Sequence, residues 1–196
     1  MIPRILFRTT PAETSEEVEG FWRRSTDLTP GWRHVTYRDP LDASDWPLTG
    51  PVWRSCGSGA QRAGLIRLEA LWRHGGVYID SDVELLRPLD ELLWSPAFCG
   101  WEDREVIPDA VLAAHPHHPA IRVCIAAAID AVHAGAWASG PGVTTAVLAP
   151  RPDVVKLPPG SFYPYHYREK HRRHDDHHAE QPWAFGVHHW HGSWLP

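Results

Sequence analysis

The chain has 196 residues with 43% hydrophobic and 22% charged residues, which fits one compact domain with a real core and excludes global disorder. A formal charge of −5 with His neutral argues against tight binding to a nucleic-acid backbone. Cys56, Cys99 and Cys124 are odd in number and lack Cys-x-x-Cys spacing, and no run of 18 apolar residues or signal peptide is present, so a reduced, cytoplasmic protein without a membrane span is expected.

In chain order, Arg4 to Thr9 reads as a first strand ended by Pro11. Thr14 or Ser15 then caps a helix through Glu16, Glu17, Val18, Phe21 and Trp22, its acids near the positive end. Trp32 to Tyr37 alternates apolar and polar residues as a second strand, and Asp39 to Pro51, with three prolines, reads as a loop with room for a helical turn. Ala60 to His74 is rich in helix formers, with Ala60, Gly64, Leu68, Leu71 and Trp72 on one buried face and Gly75 as the left-handed stop. Val77-Tyr78-Ile79 follows as an inner strand of a mixed or parallel sheet.

Asp80-Ser81-Asp82 comes next and carries the chemistry. Ligands in open α/β sheets gather at the carboxyl ends of strands, and strand alternation puts both acids on one side, so they are placed to address a single ion. Hard oxygen ligands favour Mg²⁺ or Mn²⁺ over zinc. Beyond the acids, Val83 to Leu86, Pro96 to Trp101 and Ala110 to Ala114 read as strands, and Pro119 opens a buried helix over Ala120 to His133. The His-rich stretch 166–178 reads as a flexible, solvated loop rather than a zinc site, placed to act as a lid over a bound ligand or a contact for an anionic one. Trp46, Trp53 and Trp183, near loops, are candidates for stacking on ligand rings.

The block from Arg67 to Asp90, with Met1 to Arg8 at the start and Val187 to Trp194 at the end, resembles the Asp-x-Asp (DXD) glycosyltransferases of family 32. These are relatives of capsular polysaccharide and mannosyl transferases and, more distantly, of the clostridial glucosylating toxins. The resemblance implies a GT-A type nucleotide-diphospho-sugar fold, a Rossmann-like mixed sheet flanked by helices, over residues 1–196. It also implies a metal-dependent, retaining transfer of a sugar from a UDP-linked donor, or GDP-mannose, to a carbohydrate or other hydroxyl-bearing acceptor.

By the same resemblance Asp80, Asp82 and His188 hold the Mn²⁺ or Mg²⁺, with His189 the neighbouring alternative. Ser193 and Trp194 reach the diphosphate, Arg67 faces the donor, and Asp80 extends towards the ribose. Arg8 and Thr9 are candidates for the base pocket. Asp109 and the turn Ser139 to Gly142 resemble the region that lines the transferred sugar. Asp80, Asp82, Arg67 and Asp109 are thus the expected catalytic group. The chain departs from the family at Ala63-Gly64, where Ser-Asp is usual, so a carboxylate is missing near the donor. Two other readings stand beside this one: a haloacid dehalogenase-like phosphatase using the first acid as nucleophile, and a non-catalytic sugar-nucleotide or carbohydrate binding protein.

Overall fold

A computed structural model describes residues 1–191. Strand β1 (Ile5–Thr10) leads into α1 (Glu16–Asp27), where Ser15 is the cap: its hydroxyl accepts from the Val18 amide at 3.3 Å. Strand β2 (Arg33–Arg38) follows, and the expected loop holds two 3-10 turns, Ala43–Asp45 and Gly50–Ser55. Helix α2 (Gly59–His74) is capped by Ser58 and ends on Gly75, whose φ of 63° takes up the left-handed region that glycine tolerates. Then come β3 (Gly76–Ile79), β4 (Val83–Leu85), β5 (Ala97–Gly100) and β6 (Val111–Ala114). Helix α3 (Pro119–Asp130) starts with proline in its first turn, as its sequence implies.

The remaining elements are short. Helices α4 (Ala136–Ser139) and α5 (Pro141–Leu148) stand where the sequence shows a Ser-Gly-Pro-Gly turn; the turn is only the joint between them. Strand β7 (Val155–Leu157), a 3-10 run over Tyr167–His174, α6 (His177–Glu180) and β8 (Gly186–His188) complete the chain. The His-rich stretch expected as a loop therefore has local helical structure, with His166 and Glu169 forming a reciprocal capping box at its start.

Six strands form one sheet in the order β2-β1-β3-β6-β5-β7, and β4 pairs with β8 in a separate two-stranded sheet. Within the large sheet β6 alone runs against its neighbours β3 and β5; the other pairings are parallel. The chain leaves β1 to one side for β2 and returns past it for β3, and this switch opens a crevice at the carboxyl ends of β1 and β3.

Alternation divides the core between the two faces of the sheet. Phe7, Tyr78 and Leu112 point into a cluster with Leu65, Leu68 and Leu71 of α2 and with Ile121 and Ile125 of α3. Leu6, Val77, Ile79 and Val111 point the other way, against Val83, Phe162 and Val187. Truncating any of these α2 leucines to alanine would cost about 2–5 kcal/mol.

Helix α2 differs from the amphipathic helix its sequence suggests. Every residue from Gly64 to Leu71 is buried, because the sheet covers one side while α3 and the 43–55 segment cover the others. Two charged residues go under with it, and each is matched. Glu69, fully buried, accepts from the amides of Leu48 and Thr49 and from the Thr49 hydroxyl, and so fixes the loop that leads into the second 3-10 turn. Arg67 is matched by the acids of the site.

Candidate active site

The acids lie at the end of β3, on a tight turn closed by the Val83 amide donating to the Asp80 carbonyl at 2.9 Å. The turn, rather than strand alternation, is what brings Asp80 and Asp82 together. Across from it β8 pairs antiparallel with β4, in a register that sets His188 opposite Val83. His188 Nε2 consequently sits 3.2 Å from Asp82 Oδ1. One ligand atom from each of Asp80, Asp82 and His188 falls within 4.8 Å of the other two, forming the single such cluster of metal-ligating groups among the described residues.

The same register separates the two histidines. His189 faces away, its Nε2 3.0 Å from Glu84 Oε2 and its ring stacked on Phe21 at 4.0 Å between centroids. The geometry therefore favours His188 over His189 as the ligand. His191, which the sequence reading passed over, donates its amide to Asp82 Oδ2 at 2.9 Å and so holds that carboxylate from the far side.

Arg67 organises the other half of the site. Its guanidinium lies 2.8 Å from Asp80 Oδ1 and 3.1 Å from Asp109 Oδ2, donates to the Asp109 carbonyl at 2.5 Å, and rests over the Tyr78 ring at 4.5 Å. Tyr78 in turn donates its hydroxyl to Asp80 Oδ1 at 2.7 Å and exchanges a 2.8 Å hydrogen bond with Thr9. Asp80 is thus oriented by two groups before any ligand arrives. Arg67 also lines the cleft, yet its charge is directed at the two carboxylates, so its part is to position them.

Burial sets the protonation balance. It pushes the Asp80 carboxyl up to about 6; Arg67 pulls the other way, and Asp82 and Asp109 add repulsion. Burial would also raise Asp82, but the His188 imidazole and the His191 amide hold it below the usual carboxylate range. Asp80 and Asp109 share one guanidinium and Asp82 faces His188, so three carboxylates meet a single permanent cation in a low-dielectric setting. Two carboxylates and an imidazole nitrogen with that excess of acid suit a hard divalent cation, and the otherwise unpartnered His188 Nδ1 leaves the ring free to adopt the tautomer that presents Nε2. These residues therefore fit a bound Mn²⁺ or Mg²⁺.

A cleft of about 250 Å³ opens above them, lined by Thr9, Thr10, Tyr37, Asp109, Trp137 and Trp190 among others. Thr9 belongs to it, but Arg8 does not. Alternation along β1 turns Arg8 to the opposite face, where it is 1% exposed, pairs with Glu19 at 2.5 Å and lies over Trp22. Arg8 is therefore corrected from base-pocket residue to a buried brace between β1 and α1.

The expected stacking tryptophans need the same correction. Trp46 is 5% exposed in the core, Trp53 packs beside it, and Trp183 is exposed but away from the cleft. Ser193 and Trp194 lie outside the described residues.

The departure at Ala63-Gly64 has a structural counterpart. A Cβ built on Gly64 would meet Asp109 Oδ2 at 3.5 Å, so the carboxylate of Asp109, delivered from the segment before β6, stands over the glycine. The acid that the local pattern lacks at 64 is replaced in space by one 45 positions later in the chain.

This fold, with an acid pair at a strand end under a cleft, is the GT-A fold of glycosyltransferases. Its likeness to the solved structure titled "PaToxG Glycosyltransferase" has a TM-score of 0.59 at 13% identity and covers 93% of this chain and 75% of that one. The chain is similar to the glycosyltransferases with a DXD sugar-binding region: the family model described as "Glycosyltransferase sugar-binding region containing DXD motif" matches residues 17–99, which include both acids.

Among curated proteins, it is 29% identical over 130 residues to inositol phosphoceramide mannosyltransferase 2 of Schizosaccharomyces pombe, covering 64% of this chain and 38% of that protein. It is 26% identical over 118 residues to human alpha-1,4-N-acetylglucosaminyltransferase, covering 53% of this chain and 34% of that protein. The chain thus spans little more than a third of the length of these relatives. No helix among the described residues is long and apolar enough to cross a membrane.

Proposed function

We propose that the chain transfers a sugar from a nucleoside-diphosphate donor to a hydroxyl-bearing acceptor, with Asp80, Asp82 and His188 holding a divalent cation, Mn²⁺ or Mg²⁺. The observation that carries this reading is the convergence of those three side chains within 4.8 Å at the mouth of the cleft. When bound, the cation supplies charge neutralisation for the diphosphate as it leaves.

The chain's own residues do the rest. Asp82, held by the His191 amide, presents an ionised carboxylate, and His188 would ligate with Nε2 deprotonated. Tyr78 and Arg67 fix the direction of Asp80 and keep it from turning into the core. Asp109, braced by Arg67, offers a carboxylate to hydroxyls in the cleft. Thr9, Thr10 and Tyr37 form the wall at the β1 and β2 end, where a flat base has room to lie.

Residues 1–196 act as one domain in this reading. UDP is the preferred nucleotide and GDP-mannose the alternative, which the mannosyltransferase relatives support. Retention of anomeric configuration follows from the family resemblance alone. The three unpaired cysteines support a reducing, cytoplasmic setting. The family match favours transfer over the phosphatase alternative. The reading is tested by measuring Mn²⁺-dependent hydrolysis of UDP-sugars and GDP-mannose by the wild type and Asp82→Asn. Loss in the variant is expected, and equal metal-dependent activity in both would sink the assignment.

A further inference from the structure

The metal site makes no use of the His-rich stretch 166–178. The Ser161 carbonyl accepts from the amides of Phe185 at 2.7 Å and Gly186 at 3.2 Å, so residues 162–184 leave and rejoin the fold at one neck. Inside this excursion the buried His177 ring stacks on Tyr165 at 4.7 Å between centroids, and Gln181 donates its side-chain amide to the Pro164 carbonyl at 2.8 Å. The 3-10 run Tyr167–His174 is therefore carried on packed side chains, with most of its own side chains in solvent.

Charge is concentrated there. Residues 166–174 hold four Lys or Arg and one acid, whereas the rest of the chain holds fifteen Lys or Arg and twenty-three acids. The neighbouring acids are already engaged. Glu169 accepts from the His166 amide at 3.2 Å, Asp175 and Glu180 face Arg172 at 3.0 and 2.6 Å, Asp176 caps α6, and Glu102 and Asp103 face His166 at 3.3 and 4.0 Å. Arg168, Lys170 and Arg173 pair with no acid among the described residues: Arg168 donates to the Tyr167 hydroxyl at 3.2 Å and Arg173 to His174 Nε2 at 3.0 Å. Beyond the kink at Glu169, three residues per turn set Lys170 and Arg173 on one face and His171 and His174 on the next, while Arg172 turns to its two acids.

This strip borders the cleft. The Arg168 guanidinium lies 5.5 Å over the Tyr167 ring, Tyr167 meets Trp190 edge-on at 6.1 Å, and Trp190, which lines the cleft, packs on His188 at 3.9 Å. Tyr167 is 39% exposed, and Trp183, at the end of the same excursion, is 55% exposed.

Cations spread along a strip suit a field of anionic groups, whereas a single phosphate is held by donors that converge on one point. Partly exposed Tyr and Trp beside such cations suit the headgroup level of a bilayer, where the ring is covered and its O–H or N–H stays wet. We propose that Tyr167, Arg168, Lys170 and Arg173 form a docking surface for an anionic lipid bilayer, which brings the mouth of the cleft to the headgroups. Docking stands apart from the transferase reading; resting on that reading, the acceptor hydroxyl belongs to a membrane lipid.

The test sediments the full chain, without metal or donor, on vesicles of phosphatidylcholine alone and of phosphatidylcholine with about one third phosphatidylglycerol. Wild type is compared with Arg168→Gln/Lys170→Gln/Arg173→Gln and with the charge-conserving Arg168→Lys/Arg173→Lys. A third variant, Arg33→Gln/Arg54→Gln/Arg122→Gln, removes three exposed cations from β2, the second 3-10 turn and α3. Glycerol 3-phosphate serves as the soluble competitor, against sodium chloride at equal ionic strength.

Wild type is expected to bind the anionic vesicles at least about tenfold more tightly than the neutral ones, and to lose that preference at about 1 M salt. The triple variant of the strip should weaken anionic binding about tenfold, with the charge-conserving and remote variants like wild type. Equal binding to both vesicle types, no binding, a preference that survives salt, or a strip variant that binds like wild type overturns the proposal. Loss in the charge-conserving variant, or displacement by glycerol 3-phosphate beyond that by sodium chloride, assigns the cations to a single soluble phosphate and overturns the bilayer. The salt dependence of wild type keeps the test decisive even where the strip variant unfolds. Failure of the transferase reading shows separately, as absence of Mn²⁺-dependent donor hydrolysis, and leaves vesicle binding standing.

Discussion

The carboxylate of Asp109 stands over Gly64, with Oδ2 3.5 Å from where a Cβ at 64 would lie. That distance is an ordinary van der Waals contact, so Gly64→Ala is expected to fold and to gain helix propensity, about 0.5–1 kcal/mol. Gly64→Asp, which restores the acid of the family pattern, would instead place two carboxylates together in a buried setting. The measurable outcome is a lowered Tm for Gly64→Asp that is restored by adding Asp109→Asn. A Tm unchanged by Gly64→Asp would show that the two positions do not share one space.

Arg67 separates and neutralises Asp80 and Asp109 while itself 5% exposed. Arg67→Ala leaves two carboxylates without a buried partner, and urea unfolding should show a loss of about 3–5 kcal/mol. Arg67→Lys should recover only part of it, because one ammonium cannot reproduce a planar fork that meets both acids and the Tyr78 ring. Full recovery by lysine would argue against that geometry.

His188 and His189 should separate cleanly in a Mn²⁺ titration followed by calorimetry. His188→Ala is expected to weaken the cation at least about tenfold. His189→Ala loses the Glu84 contact and the stack on Phe21, so it should lower stability and retain cation binding. The reverse pattern would mean that the β8 register is shifted by one residue.

Glu19 sets an acid limit on stability. Burial acts to raise its carboxyl, but hydrogen bonds from Thr14, Arg8 and Arg38 outweigh it and bring the folded value from 4.5 to about 2. A depressed carboxylate contributes stability that is fully present above its unfolded value and is lost as pH falls through its folded one. The Tm difference between wild type and Glu19→Gln should therefore be constant above about pH 5, shrink through the interval down to pH 2, and vanish below it. A difference that persists undiminished well below pH 2 would point to packing rather than charge.

The helix, strand and acid pair from Ala60 to Asp82 were legible in sequence because each signal is local: propensity, a glycine stop, a β-branched run. His188 was reached through resemblance, since its approach to Asp82 depends on a strand pairing across more than a hundred residues that no local pattern encodes. Arg8 misled because a charged residue at a strand end reads as a ligand contact, whereas one step of alternation sends it to the other face. Trp137 was passed over because two short helices divided by Gly-Pro-Gly look like a turn. The vacancy at Gly64 was visible, but its filling by Asp109 was not.

The β4–β8 seam has a thermodynamic consequence. His188 reaches Asp82 only when Gly186–His188 is docked on Val83–Leu85, so cation affinity and docking of this late segment form a single linked equilibrium. A cation that binds the docked form alone strengthens the seam by about 2.7 kcal/mol at a hundredfold excess over its Kd. The seam then works as a latch, and slowed hydrogen exchange at the amides of Val187 and of His189, which donates to the Asp82 carbonyl at 2.9 Å, reports its closure from outside the cleft.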